Sequence, residues 1–291
     1  MLKSLYSGVT GMKNIQTKMD VISNNIANVN TTSFKTGRVR FEDMISQTNV
    51  RSQAGTNAQQ VGLGVQVGSI DTVMTAGSLQ ATGRPLDFAI ENGENSFFTI
   101  QRGEQTFYTR DGGFYQDYEG NLVTSAGLSV MGYTQGAGAA AVNDETFDIA
   151  SLGKTPAPIK IFDTLSVGEP KVEVTLKDYT IDKQGFVVGT YSNEKSYVLG
   201  RVALTSFSNP GGLEKQGGNL YSQSTNSGEP LFGNPTDPGF GSVRSGFLEM
   251  SNVDLANEFT DMIVTSRAYQ ANSKSITTSD SMLEELINLK R

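Results

Sequence analysis

The chain has 291 residues and contains no Cys, no His and no Trp. Without thiols or imidazoles it can build neither a disulfide nor a Ser-His-Asp or Cys-His nucleophile system, and zinc sites made of these ligands are excluded as well. The net charge of -7 argues against a nucleic-acid partner, which would need a basic face. Apolar residues make up only 37%, so the composition favours turns and solvated strands over one large core.

The first thirty residues predict a long amphipathic helix. Their apolar residues recur at intervals of three or four, which places them on one face of an α-helix. This N-terminal stripe consists of Leu2, Leu5, Val9, Met12, Ile15, Met19, Ile22, Ile26 and Val29. We expect the helix to end within 28–33, where short Asn, Thr and Ser side chains compete for the backbone.

The sequence also bears on export and on membranes. Ser4, Ser7, Gly8 and Thr10 interrupt the apolar run that a secretory signal peptide requires. The chain contains no run of about 18 apolar residues, the length that spans a bilayer. We therefore expect no cleavable signal peptide and no membrane insertion.

Residues 31–75 predict an extended linker. They are polar and rich in Gly, and the alternating run Val65–Val67 indicates a strand or hairpin towards the end of the segment.

Residues 76–246 predict a β-rich outer domain. Short runs enriched in β-branched and aromatic residues alternate with turn signals such as Asp111–Gly113 and Glu119–Asn121. The predicted strands are Phe97–Gln101, Thr106–Arg110, Leu122–Ser125, Ser129–Tyr133, Ile159–Phe162, Lys171–Leu176, Tyr179–Asp182, Phe186–Tyr191 and Val198–Phe207. Gly136–Ala141 predicts a low-complexity bend, and 208–245 predicts loop and irregular edge.

The last part of the chain predicts a second long helix over about 253–289. One row of residues recurs every seven positions, at Leu255, Met262, Tyr269, Ile276 and Leu283. The adjoining row is half polar and consists of Phe259, Ser266, Ser273, Asp280 and Ile287. Ser251 or Asn252 is the expected N-cap.

The two terminal helices carry opposite charge, which suggests that they pair. Residues 1–30 have a net charge of +2 (three Lys against one Asp), and residues 247–291 have -3 (four bases against seven acids). Ordinary packing of two helices in a globular core and a coiled-coil-like assembly element both remain open. The narrow apolar faces favour the second. The expected fold class is α+β: two long terminal helices that form a coiled-coil-like pair, an extended linker and a mainly antiparallel β outer domain.

Three stretches invite a chemical interpretation, and each is weak. Gly62–Gly68 resembles a dinucleotide fingerprint, but its third Gly falls one position late and no long helix follows. Asp117–Asn121 contains part of a calcium loop without its later Gly and Glu, so a hairpin turn is the better interpretation. Asp111 and Asp117 would serve a carboxylate-dependent glycan hydrolase only with a spacing that is not diagnostic here. We expect no enzyme activity, no cofactor and no metal.

Several segments closely resemble the bacterial flagellar rod and hook proteins. They are Leu5–Met12, Asp20–Lys35, Arg40–Met44, Gly77–Ile90, Glu119–Thr124, Val130–Tyr133, Ser251–Ile263 and Ser266–Lys274. The resemblance covers roughly 1–135 and 240–291. It implies a terminal helical domain of 1–30 and 247–291 that lines an inner tube, a linker of 31–75 and an outer domain of 76–246, in which 136–200 is a possible reduced insertion.

Within that family, the segments Val253–Phe259, Tyr269–Asn272 and Leu286–Arg291 are most similar to hook proteins. The distal rod proteins are the alternative, because the chain is short for a hook protein and its linker is long. The resemblance implies a flexible hollow helical homopolymer, outside the cell, that transmits motor torque to the filament and passes exported subunits. Implied partners are further copies of the chain, the distal rod, hook cap and hook–filament junction proteins, and the flagellar export apparatus. The expected assembly interface comprises the N-terminal stripe with Leu255, Phe259, Met262, Tyr269, Ile276, Leu283 and Ile287.

Overall fold

The computed structural model describes residues 2–51, 55, 57–134, 156–167 and 172–289. The expected bend Gly136–Ala141 and much of the possible insertion at 136–200 lie outside these residues, as does the side chain of Leu2. The chain divides into two compact units. Unit 1 contains the described parts of Met1–Asn30, Lys35–Val73 and Val253–Arg291, and unit 2 contains those of Thr31–Phe34 and Met74–Asn252.

Unit 1 contains both long helices and two pairs of strands. Its elements are α1 (Leu2–Ala27), β1 (Gly37–Asp43), β2 (Ser46–Val50), β3 (Gln59–Gly62), β4 (Val65–Thr72) and α2 (Leu255–Asn288). The two predicted terminal helices are confirmed, and α1 ends where the polar cluster begins. Strand β1 pairs with β4 and β2 pairs with β3, both antiparallel. The described residues of the predicted linker thus contain two antiparallel strand pairs.

The cap of α2 differs from the expected one. Oδ1 of Asp254 accepts hydrogen bonds from the backbone N–H groups of Ala256 and Asn257, at 2.9 and 3.4 Å. The prediction of Ser251 or Asn252 was wrong by two or three positions. The Asn252 side chain instead donates to Oγ1 of Thr75 at 3.0 Å, which removes it from the helix terminus.

Unit 2 consists of short strands. They are β5 (Leu79–Ala81), β6 (Phe88–Glu91), β7 (Ser96–Arg102), β8 (Gln105–Thr109), β9 (Phe114–Gln116), β10 (Leu122–Thr124), β11 (Ser129–Thr134), β12 (Ala157–Pro158), β13 (Thr164–Val167), β14 (Val172–Ile181), β15 (Phe186–Tyr191), β16 (Ser196–Val202), β17 (Leu204–Ser206), β18 (Glu214–Gly217), β19 (Leu220–Ser222), β20 (Leu231–Gly233), β21 (Ser242–Ser245) and β22 (Phe247–Glu249). A 3-10 turn covers Pro210–Gly212. The described strand pairs are antiparallel, which confirms the α+β class with a mainly antiparallel sheet.

The main sheet runs in the order β13-β14-β15-β16-β11-β7-β8-β19-β18. Two expectations were wrong. Residues 208–245 contain four short strands, β18 to β21, and not only loop. Residues 159–162 are not a strand, although Ile159 donates its N–H to the Val130 carbonyl at 3.0 Å and Ile161 donates to that of Gly120 at 2.7 Å. Their buried side chains produced the apolar pattern that predicted a strand.

The core of unit 2 lies on both faces of strand β7. The neighbouring residues Phe97 and Phe98 reach opposite faces, because successive side chains on a strand alternate in direction. Phe98 lies in the large apolar cluster, where its ring meets that of Phe114 edge-on at 5.4 Å. Phe97 lies in a second cluster and meets the rings of Phe207 and Tyr221 at 5.9 and 5.7 Å. Unit 2 thus has its own hydrophobic core, independent of the helices.

Candidate functional site

Helices α1 and α2 contact each other closely at two glycines of α1. A Cβ on Gly8 would lie 2.9 Å from Cγ1 of Ile276, and a Cβ on Gly11 would lie 2.8 Å from Nδ2 of Asn272. Glycine is the residue that permits such a backbone approach. The composition of α1 at these two positions therefore sets how near the helices come.

The face of α2 that meets α1 contains a row of polar residues. Its buried residues are Thr265 and Ser279, and the Ser279 hydroxyl lies 3.5 Å from that of Ser4. Together with Glu258 and Asn272 they form a row at seven-residue intervals, which we call the polar seam. Small and polar side chains thus lie in this helix contact beside half-buried apolar ones.

Asn25 joins three elements of unit 1. Its side chain is buried, and its Oδ1 accepts the N–H of Gly37 at 3.0 Å while its Nδ2 donates to the Gly37 carbonyl at 2.9 Å. The same Nδ2 donates to Oε1 of Glu258 at 3.0 Å. One amide therefore fastens α1 to the start of β1 and to the first turn of α2.

Charge lies beside this amide. Burial raises the pKa of the Glu258 carboxyl, and the hydrogen bond from Asn25 opposes the shift. Nζ of Lys18 lies 3.8 Å from a carboxylate oxygen of Asp261, with both side chains partly exposed. Such an exposed ion pair contributes little stability, about 0–1 kcal/mol, but it fixes the same register of the two helices as the amide does.

Many apolar residues of the helices, most of them on α2, are exposed to solvent. Phe259 is 49% exposed, Ile263 63% and Val264 57%. We call the exposed residues the outer apolar set: Tyr6, Val9, Leu255, Phe259, Ile263, Val264, Tyr269, Met282, Leu286, Ile287 and Leu289. Exposed apolar surface of this extent marks an interaction site.

The predicted interface residues fall into three groups. Ile22 is buried. Half-buried residues are Leu5, Met12, Ile15, Met19, Ile26, Val29, Met262, Ile276 and Leu283. Exposed residues are Val9, Leu255, Phe259, Tyr269 and Ile287.

The sequence pattern missed part of the outer apolar set. Ile263 and Val264 lie off both seven-residue rows, and so do Met282 and Leu286. These residues are recognised only because their large apolar side chains are exposed in the structure. A period in the sequence does not distinguish exposed apolar residues from buried ones. Gly8 and Gly11 were missed as well, although they follow each other at helical spacing on α1.

The three stretches that invited a chemical interpretation lie in strands and in the connections between strands of the described structure. Asp117–Asn121 is the turn between β9 and β10, as predicted. Burial raises the pKa of Asp111, whose carboxylate accepts the N–H of Gly113 at 3.3 Å. Gly62 ends β3, and Gly68 lies within β4.

Three segments of the chain match families of flagellar proteins. Residues 5–35 match the family described as flagella basal body rod protein, residues 90–189 the flagellar hook protein FlgE/F/G D1 domain, and residues 244–289 the flagellar basal body rod FlgEFG protein C-terminal. The chain belongs to the family of bacterial flagellar rod and hook proteins, which are structural components of the flagellum.

Individual relatives span the chain from end to end. The flagellar basal-body rod protein FlgG of Bacillus subtilis is 45% identical over 298 aligned positions, covering 100% of both chains. The flagellar hook protein FlgE of Borreliella burgdorferi is 33% identical over 444 positions, again with 100% of both covered. The rod protein FlgG of Agrobacterium fabrum is 34% identical over 97% of each chain. In the described part of the chain, neither helix has the length and apolarity needed to cross a membrane.

Proposed function

We propose that this chain is the structural subunit of the flagellar hook and that it polymerises into a flexible hollow tube. The outer apolar set carries the proposal. The contact between α1 and α2 leaves the outer apolar set in water. Only further protein can cover that surface, and in a structural polymer the protein is another copy of the same chain.

The geometry of such contacts favours an open polymer. Exposed apolar residues lie on both helices, and the helices differ in sequence and in charge, so a neighbour meets a different surface from the one it presents. Heterologous contacts of this kind that do not close into a ring generate a helical filament. The net positive charge of α1 and the net negative charge of α2 orient each incoming copy.

The roles proposed for the domains follow from the family resemblance. Residues 1–30 and 247–291 form the inner tube, with α1 and α2 wound as a coiled-coil-like pair. Residues 31–75 link this domain to an outer domain of 76–246. The tube lies outside the cell, and its subunits reach it through the flagellar export apparatus. It contacts the distal rod, the hook cap and the hook–filament junction proteins, transmits motor torque and passes exported subunits.

A distal rod protein is the second candidate. The relative at 45% identity is named a rod protein and aligns over 298 positions, about the length of this chain, whereas alignment with a named hook protein extends over 444. Similarity to hook proteins in 253–291 supports the hook. A rod subunit would use the same outer apolar set but would build a straight, rigid tube.

Two measurements test the proposal. Concentrating the purified chain should give hollow tubes in electron micrographs, and a chain that stays monomeric at high concentration would contradict polymerisation. Deleting the gene in its own bacterium should leave a completed rod without a hook. A mutant that lacks the distal rod as well would favour the second candidate.

A further inference from the structure

Three segments of unit 2 directly adjoin, along the chain, residues of unit 1: 31–34, 74–78 and 249–252. Hydrogen bonds hold these segments to one another within unit 2. The Ser33 N–H donates to the Glu249 carbonyl at 2.8 Å, and the Met250 N–H donates to the Ser78 carbonyl at 2.9 Å. Every point at which the chain enters or leaves unit 2 therefore belongs to one hydrogen-bonded group.

The side chain of Glu249 lies at the centre of this group. It is buried, with Oε1 accepting the Gly77 N–H at 2.9 Å and Oε2 accepting Nε of Arg110 at 3.0 Å. Its own main-chain carbonyl holds Ser33, so one residue contacts all three segments and a strand-end arginine. A buried carboxylate is tolerated only with such complete pairing.

Each nitrogen of the Arg110 guanidinium donates a hydrogen bond. Besides Glu249, it donates from Nη1 to the Glu94 carbonyl at 2.6 Å and from Nη2 to the Gly93 carbonyl at 2.9 Å. The ion pair is 1% exposed on both sides. Because these carbonyls lie just before β7, the pair connects the three segments to the core sheet.

Gly77 is packed tightly against the third segment. A Cβ at this position would overlap the main-chain carbonyl oxygen of Met250. The first segment is secured from its other side, where Nδ2 of Asn219 donates to the Thr32 carbonyl at 2.9 Å. Displacement of the first or the second segment thus breaks contacts with the third, and displacement of the third breaks contacts with both.

We propose that these segments and Arg110 form a clasp, a conformational lock that makes the three segments move as one body, with Glu249 as its positioning residue. A group of mutually dependent contacts opens as a single cooperative unit. The clasp lies wholly within unit 2, so it does not depend on the proposed polymer.

Amide hydrogen exchange on the full chain tests the clasp. Glu249→Ala removes the acceptor of Gly77 but leaves the main-chain acceptor of Ser33 chemically intact. Removing one partner of a buried pair should lower the exchange protection of both amides by roughly a hundredfold or more. The amide of Ile100, within β7, should keep its protection relative to them.

A second buried arginine provides the matched control. Arg201 also donates to two main-chain carbonyls, those of Gln184 and Pro235 at 2.8 and 2.9 Å, and is buried at 6% exposure. Arg201→Met should not release Ser33 and Gly77 together. Glu249→Gln, which keeps the side-chain shape, should release the same two amides to a smaller extent and serves if the Ala variant fails to fold.

Loss of protection at Gly77 with Ser33 unchanged would overturn the clasp, because the glutamate would then be a local hydrogen-bond acceptor. Equal release of both amides by Arg201→Met would overturn it too, as a general weakening of unit 2. Neither result depends on whether tubes form, so a failure of the clasp is distinguishable from a failure of the proposed function.

Discussion

Replacing Ile263 with Ala should weaken assembly without unfolding the chain. Ile263 lies on α2 away from the polar seam and is 63% exposed. Its side chain makes little contribution to the fold of one chain, so its burial occurs only when a neighbour covers it. The variant therefore separates the contacts between copies from those within a copy.

The size of the effect follows from the exposed fraction. Complete burial of an isoleucine side chain stabilises by about 1.5–3 kcal/mol. Covering the 63% that is exposed would contribute about 1–2 kcal/mol per subunit. Since about 1.4 kcal/mol corresponds to a tenfold change in an equilibrium constant, the critical concentration for tube formation should rise roughly 5- to 30-fold.

Sedimentation of tubes from a concentration series measures this critical concentration. Circular dichroism of the supernatant checks that the unassembled chain keeps its strand content. Thr277→Ala, an exposed polar change on the same helix, is the control and should leave the critical concentration within about twofold. If Ile263→Ala assembles at the parent's concentration, Ile263 is not covered in the polymer and the outer apolar set is misassigned.

Three further outcomes are expected. Gly112→Ala should lower the free energy of unfolding in urea by at least about 2 kcal/mol, because its Cβ would overlap a main-chain carbonyl of β6. Gly62→Ala is the control: its Cβ would have no neighbour within 4 Å, so it should change the free energy of unfolding by less than about 0.5 kcal/mol. Effects of similar size in the two variants would contradict the packing argument. Burial raises the pKa of Tyr221 from 10.0 to about 12, so its contribution to stability is complete below pH 10 and is lost as the pH rises to about 12. Tyr221→Phe should therefore flatten the fall of the urea midpoint with pH in that window. An unchanged slope of the midpoint against pH would argue against this role of Tyr221. Asn25→Ala leaves both main-chain groups of Gly37 without their partner and should destabilise unit 1 by about 2–3 kcal/mol. The measurement is the temperature at which tubes dissociate, which should be lower for the variant. Equal dissociation temperatures of variant and parent tubes would show that the amide is dispensable.

The helices could be predicted from the sequence because their signals are local. The three- and four-residue spacing from Leu5 to Val29 defines α1, and the polar cluster after Ala27 ends it. The cap of α2 depends on two backbone N–H groups and one carboxylate. Three neighbouring polar residues compete for that role, so the sequence placed it only approximately.

Only part of the pairing face of the helices could be predicted. An apolar stripe shows which residues leave water, but it does not say whether they pack within one chain or between chains. Glu258, Thr265, Asn272 and Ser279 have the pattern of a solvated face, yet this row meets α1. Their burial becomes apparent only when glycines on the opposite helix allow the backbones to approach.

The strands within 208–245 were missed for a different reason. Each has only three or four residues among Gly, Pro, Asn and Ser, which are poor strand formers. They are extended because strands distant in the sequence align them: β19 pairs with β8, β20 with β17 and β21 with β6. Such strands owe their existence to tertiary pairing rather than to local preference.

The polar seam also sets the order in which the molecule becomes rigid. The contact between α1 and α2 includes hydroxyls, amides and glycines beside half-buried apolar side chains, and it leaves the outer apolar set in water. The helix pair is therefore only partly stabilised within one chain. Unit 2, in contrast, is ordered by aromatic clusters of its own. We expect a newly released chain to complete its β unit first and to keep exchanging helical conformations afterwards, until neighbouring copies close over the outer apolar set and make the helices permanent.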